Sequence, residues 1–372
     1  MKKFKRHRDY GFWDQDIRMS KLSQLGDPLE RLNKGVDFEI FRSLLEERLT
    51  KEAKGEGGRP PYDYVLMFKI MILQRYYNLS DEQVEFQIND RMSFTCALHE
   101  VRGMRFLDLT IADDIPDSRT VWFFRERLTD LGLVKELFDL FLNRLDSLGL
   151  IVNEGKIIDA SFVEVPKQRN SRFENAQIKS GEIPENFTEN PHRLAQKDTD
   201  ARWTKKNEVS YFGYTCTVYE VRGKNHAKGD AKSKIITDYT VTDASVHDSN
   251  ETDKLLNEND KGEPFYADSA YSGAPQAAII KEKEMVNQVC EKGAKNRPLT
   301  EEQIANNREK SRVRCRIEHI FGFMEMSTAY FVHSTSMNGM YIYNIGIKRA
   351  AAVIGLMNLT YNMFRKIQLV AS

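Results

Sequence analysis

Residues 155 to 165 read GKIIDASFVEV, and the reading of this run decides the fold. A glycine opens it and β-branched residues fill it, so it reads as a strand with Asp159 inside it. A second acid stands in a similar place. In PFYADSAYSG, residues 264 to 273, Phe265, Tyr266 and Ala267 suit a short buried strand, and Ser269 to Gly273 supply turn chemistry. Asp268 falls where strand passes into loop. Alone it reads as a turn former; beside Asp159 it asks for a shared purpose.

Working outward, a chain of 372 residues is long for one core and suggests two domains or one elaborated domain. A hydrophobic content of 41% is ample for a packed interior. Cys96, Cys216, Cys290 and Cys315 are widely separated and form no CxxC pair, so they read as reduced thiols rather than a zinc site or a disulfide frame. The basic start MKKFKRHRDYGFW has no apolar run behind it, which predicts no signal peptide. The longest apolar run, 350 to 364, is interrupted by Asn358, Thr360 and Asn362, so no membrane span is expected. A soluble intracellular protein follows.

Net charge is zero, which by itself argues against a polyanionic partner, but the charge is unevenly placed. Residues 236 to 280, which contain Asp268, carry 2 Lys or Arg against 9 Asp or Glu. The flanking stretches, 161 to 235 and 281 to 316, carry 14 against 10 and 10 against 6. An acidic pocket in basic surroundings suits a metal-dependent phosphodiesterase, whose carboxylates hold cations while its lysines and arginines hold the polyanion.

The periodicity has three regimes. From about 38 to 148 it is helical: FEIFRSLLEERL, then GRPPYDYVLMFKIMILQRYY, then LSDEQVEFQIND with a capping box at Ser80 and Gln83, then DSRTVWFFRERL and LVKELFDLFLNRL. Trp122 and the phenylalanines beside it are assigned to the core. From about 155 to 290 the period becomes strand-like, in IIDASFVEV, YTCTVYEV, KIITDYTVTD, PFYADSAY and MVNQVC. Residues 167 to 207 show no clear element and read as a long loop or a flap. After 299 one helix is expected to run from a cap at Thr300 and Gln303 through EEQIANNREKSRVRCRIEHIFGFMEM, and another covers IYNIGIKRAAAVIGLMNLTYNMF.

Glu318 lies on the first of these helices, four residues after Arg314. An intrahelical ion pair there is worth only about 0.2–0.5 kcal/mol and would explain it alone. Taken with Asp159 and Asp268 it offers more: two strands and an overlying helix supply three carboxylates. Hard cations take oxygen ligands, and a metal pair can activate a water and stabilise the leaving oxygen of a phosphodiester.

At this point the chain resembles the bacterial insertion-sequence DDE transposases of the IS-five group, relatives of the IS-four group. LGDPLERLNKGVDFEIFR at 25 to 42 is similar to the group's opening segment, and 58 to 94 to its helical region. DDIPDSRTVWFFRERL resembles the helix start before the catalytic domain. IIDASFVEVPKQRN, KDTDARWTKKN, FGYTCTV, TDASVHDSN, YADSAYSG and RCRIEHIFGFM then match the catalytic motifs in order.

The resemblance implies an α/β fold: a ribonuclease H-like mixed-sheet catalytic domain over 151–372, preceded by an all-helical domain over 1–150 for DNA-end binding or assembly. It carries Asp159, Asp268 and Glu318 over as the catalytic and metal-holding triad, with two magnesium or manganese ions. The separations are 109 and 50 residues. In the group, tyrosine, arginine, glutamate and lysine surround the third acid; here Arg314 and Glu318 match, Ser311 replaces the tyrosine and Glu325 the lysine. A carboxylate at 325 repels DNA, and Arg312 and Arg316 are placed to compensate. With Arg314, Arg312 and Arg316, the DNA-binding candidates are Lys205, Lys206 and Trp203.

The implied activity is metal-dependent cleavage at terminal inverted repeats followed by strand transfer into target DNA. Double-stranded DNA is the partner, with no membrane and a homodimer or higher assembly in a synaptic complex, in the bacterial cytoplasm at the nucleoid. The alternatives are a nuclease of the same fold without strand transfer and a domesticated DNA-binding protein. The sequence holds no histidine pair spaced by one residue and no GxxxxGK[ST] loop.

Overall fold

The computed structural model describes residues 11, 13–50, 60–91, 106–110, 112–165, 170–194, 196–199, 204–206, 209–211, 220–243, 246–294, 297–325, 342 and 344–371. The N-terminal part is helical: α1 (Asp14–Gln24), α2 (Pro28–Gly35), α3 (Arg42–Leu49), α4 (Tyr64–Tyr77), α5 (Asp81–Asp90), α6 (Ser118–Asp130) and α7 (Leu133–Ser147). The starts follow local chemistry. Asp63 caps α4 by accepting from Leu66 N–H, Asp117 caps α6 through Thr120 N–H, and Ser80 and Gln83 close the expected capping box of α5. Apolar nearly all round, α4 is buried along most of its length.

The chain then lays down β1 (Lys156–Val165), β2 (Thr204–Lys206), β3 (Val209–Tyr211), β4 (Glu220–Asp230), β5 (Ile236–Thr242), β6 (Pro264–Tyr266) and β7 (Val286–Asn287). Among the described residues the main sheet has the order β5-β4-β1-β6-β7, and β2 pairs with β3 apart from it. β1 is antiparallel to β4 and parallel to β6, so the sheet is mixed, as the resemblance implies. Before β1, Gly155 has φ +114 and lies against Pro264 and Tyr266, a place where a side chain would be strained and crowded.

Helices fill the rest: α8 (Arg172–Ser180), α9 (Glu185–Thr188), α10 (Pro191–Leu194), α11 (Thr252–Leu255), α12 (Ala274–Glu282), α13 (Glu301–Arg314), α14 (Arg316–Glu325) and α15 (Ile347–Ala371). Successive residues of β1 face opposite sides of the sheet. Ile157 joins a core shared by α2 to α7, α14 and α15, and Ile158 joins a smaller one with Leu255, Phe265, Tyr271 and Ile280. α15 lies across both parts of the chain, against α2, α4, α6 and α7 and against β4 and β5. It comes so close to β5 that a Cβ on Gly355 would stand 2.4 Å from the Tyr239 hydroxyl.

The polar residues that interrupt the apolar run of α15 pin it to the sheet. Asn358 and Asn225 exchange amide hydrogen bonds of 2.8 and 3.0 Å. Asn362 accepts from Ile236 N–H at 2.9 Å and donates to Ile236 C=O at 2.8 Å, so it completes backbone pairing on the edge strand β5.

Four expectations are corrected. The stretch read as a loop or flap holds three helices, α8, α9 and α10, and Ser171 with Glu174 forms a capping box for α8. The helix expected from 300 to 325 is two helices parted at Cys315. Trp122 and Phe123 are 46% and 54% exposed, and only Phe124 of that trio is core. β4 occupies the glycine- and charge-rich EVRGKNHAKGD. The segment 212–219, part of an expected strand, lies outside the described residues.

Candidate active site

The parallel pairing of β1 with β6 sets Lys156 opposite Phe265 and Ile157 opposite Tyr266, an offset of 109 residues. Asp159 and Asp268 are separated by the same offset. Extending the register two residues past Tyr266 therefore brings Asp268 beside Asp159 at the end of the shared strand pair. Asp268 also accepts from Ala270 N–H at 2.8 Å and so starts the 3-10 turn Ser269–Tyr271. The turn-former reading was right, and it does not compete with the other: the cap fixes the carboxylate where the strand pair delivers it.

Glu318 arrives from the other direction. α14 packs on β1, with Ile317 and Ile320 buried and Glu318 on its outer side, 60% exposed at the side chain. Between the strand and helix acids stands Arg314. Its Nη1 donates to Asp159 Oδ2 at 3.2 Å and its Nη2 to Glu318 Oε1 at 3.1 Å. One guanidinium thus bridges two of the three acids.

The electrostatics of Asp159 are those of an under-compensated anion. Burial raises its carboxyl to about 6, against an ordinary 3.8; the Ala160 N–H opposes this, Asp268 adds to it, Arg314 opposes it and Asp248 adds to it. Tyr271 lies in the same acidic field, its hydroxyl buried and without a hydrogen-bond partner among the described residues, and burial with Asp159, Asp248 and Asp268 nearby drives its ionisation far up. Lys224 on β4 answers part of this charge by bonding Asp248 at 2.9 Å and Val246 C=O at 2.8 Å.

An all-carboxylate donor set, with Asp159 raised by burial and further by the charge of Asp268, and beside it a buried hydroxyl that has no partner among the described residues, fits a hard cation in chemistry. In distance the triad does not close: among the described residues no three His, Cys, Asp or Glu side chains stand near enough to share an ion. Arg314 bonds both Asp159 and Glu318.

The remaining expected residues divide. Arg312 is exposed, and no carboxylate pairs with it among the described residues. Arg316 is committed to Ala231 C=O at 2.7 Å. Lys205 and Lys206 lie on β2, their side chains outside the described set, as is that of Glu325; Trp203 lies outside the described residues. His247 caps the 3-10 turn Asp248–Glu251 by bonding Ser249, which makes it a structural support as expected. Sequence reading passed over Asp248 and Tyr271, although both fall inside motifs it had already singled out, one residue and three residues from the residue each was read for.

Residues 17–127 match the family described as "Transposase domain (DUF772)", and residues 152–339 match the "Transposase DDE domain". A solved structure, the cryo-EM structure of a piggyBac transposase synaptic complex with hairpin DNA, is similar at 10% identity with a TM-score of 0.44, over 92% of this chain and 75% of that one. The DDE match alone spans half of the chain. DNA is accordingly the substrate, divalent metal is required and the reaction is cleavage and transfer of DNA strands. The chain belongs to the DDE transposase family.

Proposed function

We propose that Asp159, Asp268 and Glu318 are the triad of this transposase and hold two magnesium or manganese ions, through which it cuts at terminal inverted repeats and joins the freed ends to target DNA. The observation that carries this reading is the shared offset of 109 residues between the strand pairing and the two aspartates. When bound, the ions supply Lewis-acid polarisation of the phosphodiester and lower the pKa of water.

The chain's own groups do the rest. Asp159 presents its carboxylate from β1, and Asp268 presents one from the turn just after β6. Glu318, exposed on α14, completes the set when Arg314 leaves it, and the released guanidinium then faces the scissile phosphate, to which its fork suits it. Tyr271 holds a hydroxyl in the acidic field without adding charge. The helical part, 1–150, reads the terminal repeats or joins chains into a dimer or larger synaptic assembly, with 151–372 carrying the chemistry. Docking of α15 on both parts supports treating them as one working unit.

The test is strand transfer. The full chain, given DNA with precut terminal-repeat ends, a target plasmid and magnesium, is expected to join the two. Cleavage without joining would make it a nuclease.

A further inference from the structure

Along the outer side of α13, away from the acids, runs a groove of about 550 Å³. α13 is held to the segment after β7 by a set of bonds. Asn307 accepts from Glu291 N–H at 2.9 Å and donates to Glu291 C=O at 3.0 Å, Gln303 bonds the Glu291 carboxylate, and Lys310 reaches Val289 C=O at 3.2 Å. Asn307, one of the residues that line the groove, is thus fixed in place.

Its lining combines two kinds of surface. Leu299 and Ile304 are apolar, and Ile304 is 41% exposed. Arg308 and Arg312, one turn apart, are exposed, and neither has a carboxylate partner among the described residues. Among the described residues no acid lines the groove; the Glu291 carboxylate is taken by Gln303 and lies near Lys310. Arg42, Arg48, Arg125, Arg193 and Arg349, by contrast, are held by carboxylates. Two unpaired guanidiniums beside an apolar wall make a site for something that carries phosphates and an uncovered flat apolar face. A duplex offers the phosphates but hides its bases in the stack; an unpaired strand offers both.

We propose that this groove binds a single DNA strand, phosphates on Arg308 and Arg312 and a base against Leu299 and Ile304, and so leads an unpaired strand along α13 towards Glu318 on α14. This rests on the transposase reading above, and it adds a strand path outside the triad.

The test uses the full chain without divalent cation, a fluorescent 20-nucleotide single strand and its duplex, with affinity read across a salt series. Wild type is expected to bind the single strand. Arg308→Gln with Arg312→Gln should weaken that binding roughly tenfold and flatten its salt slope by about 1.4, since each phosphate contact with a single strand contributes about 0.7. Arg308→Lys with Arg312→Lys should keep the slope. Ile304→Ser should weaken single-strand binding several-fold with slope and duplex binding unchanged. If wild type binds and the glutamine pair leaves affinity and slope unaltered, the groove is not a DNA path. Equal losses for strand and duplex in Ile304→Ser would overturn the base contact. A wild type that binds neither oligonucleotide removes the functional reading as well, and the two failures are therefore distinct.

Discussion

Arg314 Nη1 stands 3.2 Å from Asp159 Oδ2, so a cation carried by the helix region is bonded to the acid of the central strand. The same guanidinium reaches Glu318 at 3.1 Å. It neutralises charge that burial and Asp268 make costly at Asp159. Arg314→Gln removes it. The Asp159 carboxyl should then titrate above its present value of about 6, as followed by carboxyl carbon NMR against pH. A downward shift, or none, would mean that the bridge has no electrostatic role.

The raised carboxyl also sets a pH dependence of stability. Its folded value, about 6, exceeds the ordinary 3.8, so between the two the folded chain retains a proton that the unfolded chain has released. The stability linked to this group is fully present below about pH 4 and is lost as the pH rises through about 6. Asp159→Asn cannot lose it. At about pH 8 the variant should be more stable than wild type by on the order of 1–2 kcal/mol, an advantage that disappears towards pH 4. Denaturation across the pH series checks this, and a wild type more stable than the variant at pH 8 would contradict it.

Away from the site, Asp260 is buried with two lysines. Lys228 Nζ lies 2.7 Å from Asp260 Oδ2 and Lys156 Nζ 3.7 Å from Oδ1, and burial lowers the Lys228 pKa. Asp260→Asn leaves two buried ammonium groups without their anion, at a cost of roughly 3–5 kcal/mol. Urea denaturation should show the loss, and a change under about 1 kcal/mol would mean that both lysines find water or other partners.

How much of this could be read in the sequence varies with the kind of contact. Asp159 and Asp268 were legible because each ends or interrupts an apolar run, and their separation carries the strand register itself. The capped helices were legible too, since a cap is a contact within four residues; Ser171 and Glu174 carried the same signal and went unread beneath the charges around them. β4 was not legible. EVRGKNHAKGD has glycines and charges where strands have branched residues, and it is a strand because it lies between β1 and β5, with Lys224, His226 and Lys228 buried by contacts from distant parts of the chain. Asn358 and Asn362 likewise read as flaws in an apolar helix until the sheet they bond is in place. Trp122 and Phe123 show the opposite error: large apolar side chains that no core claims. The part Arg314 plays at Asp159 spans 155 residues, and no local spacing announces it.

The account stands or falls on whether Asp159, Asp268 and Glu318 hold metal together. The most direct measurement is calorimetric titration of manganese into the full chain bound to terminal-repeat DNA, for wild type and for Asp159→Asn, Asp268→Asn and Glu318→Gln, each of which removes a charge with little change in size. Wild type should take up two ions, and each variant should lose at least one of them while keeping its affinity for the DNA. A variant that binds both ions as wild type does would take that residue out of the site; if all three did so, the triad assigned here would be wrong.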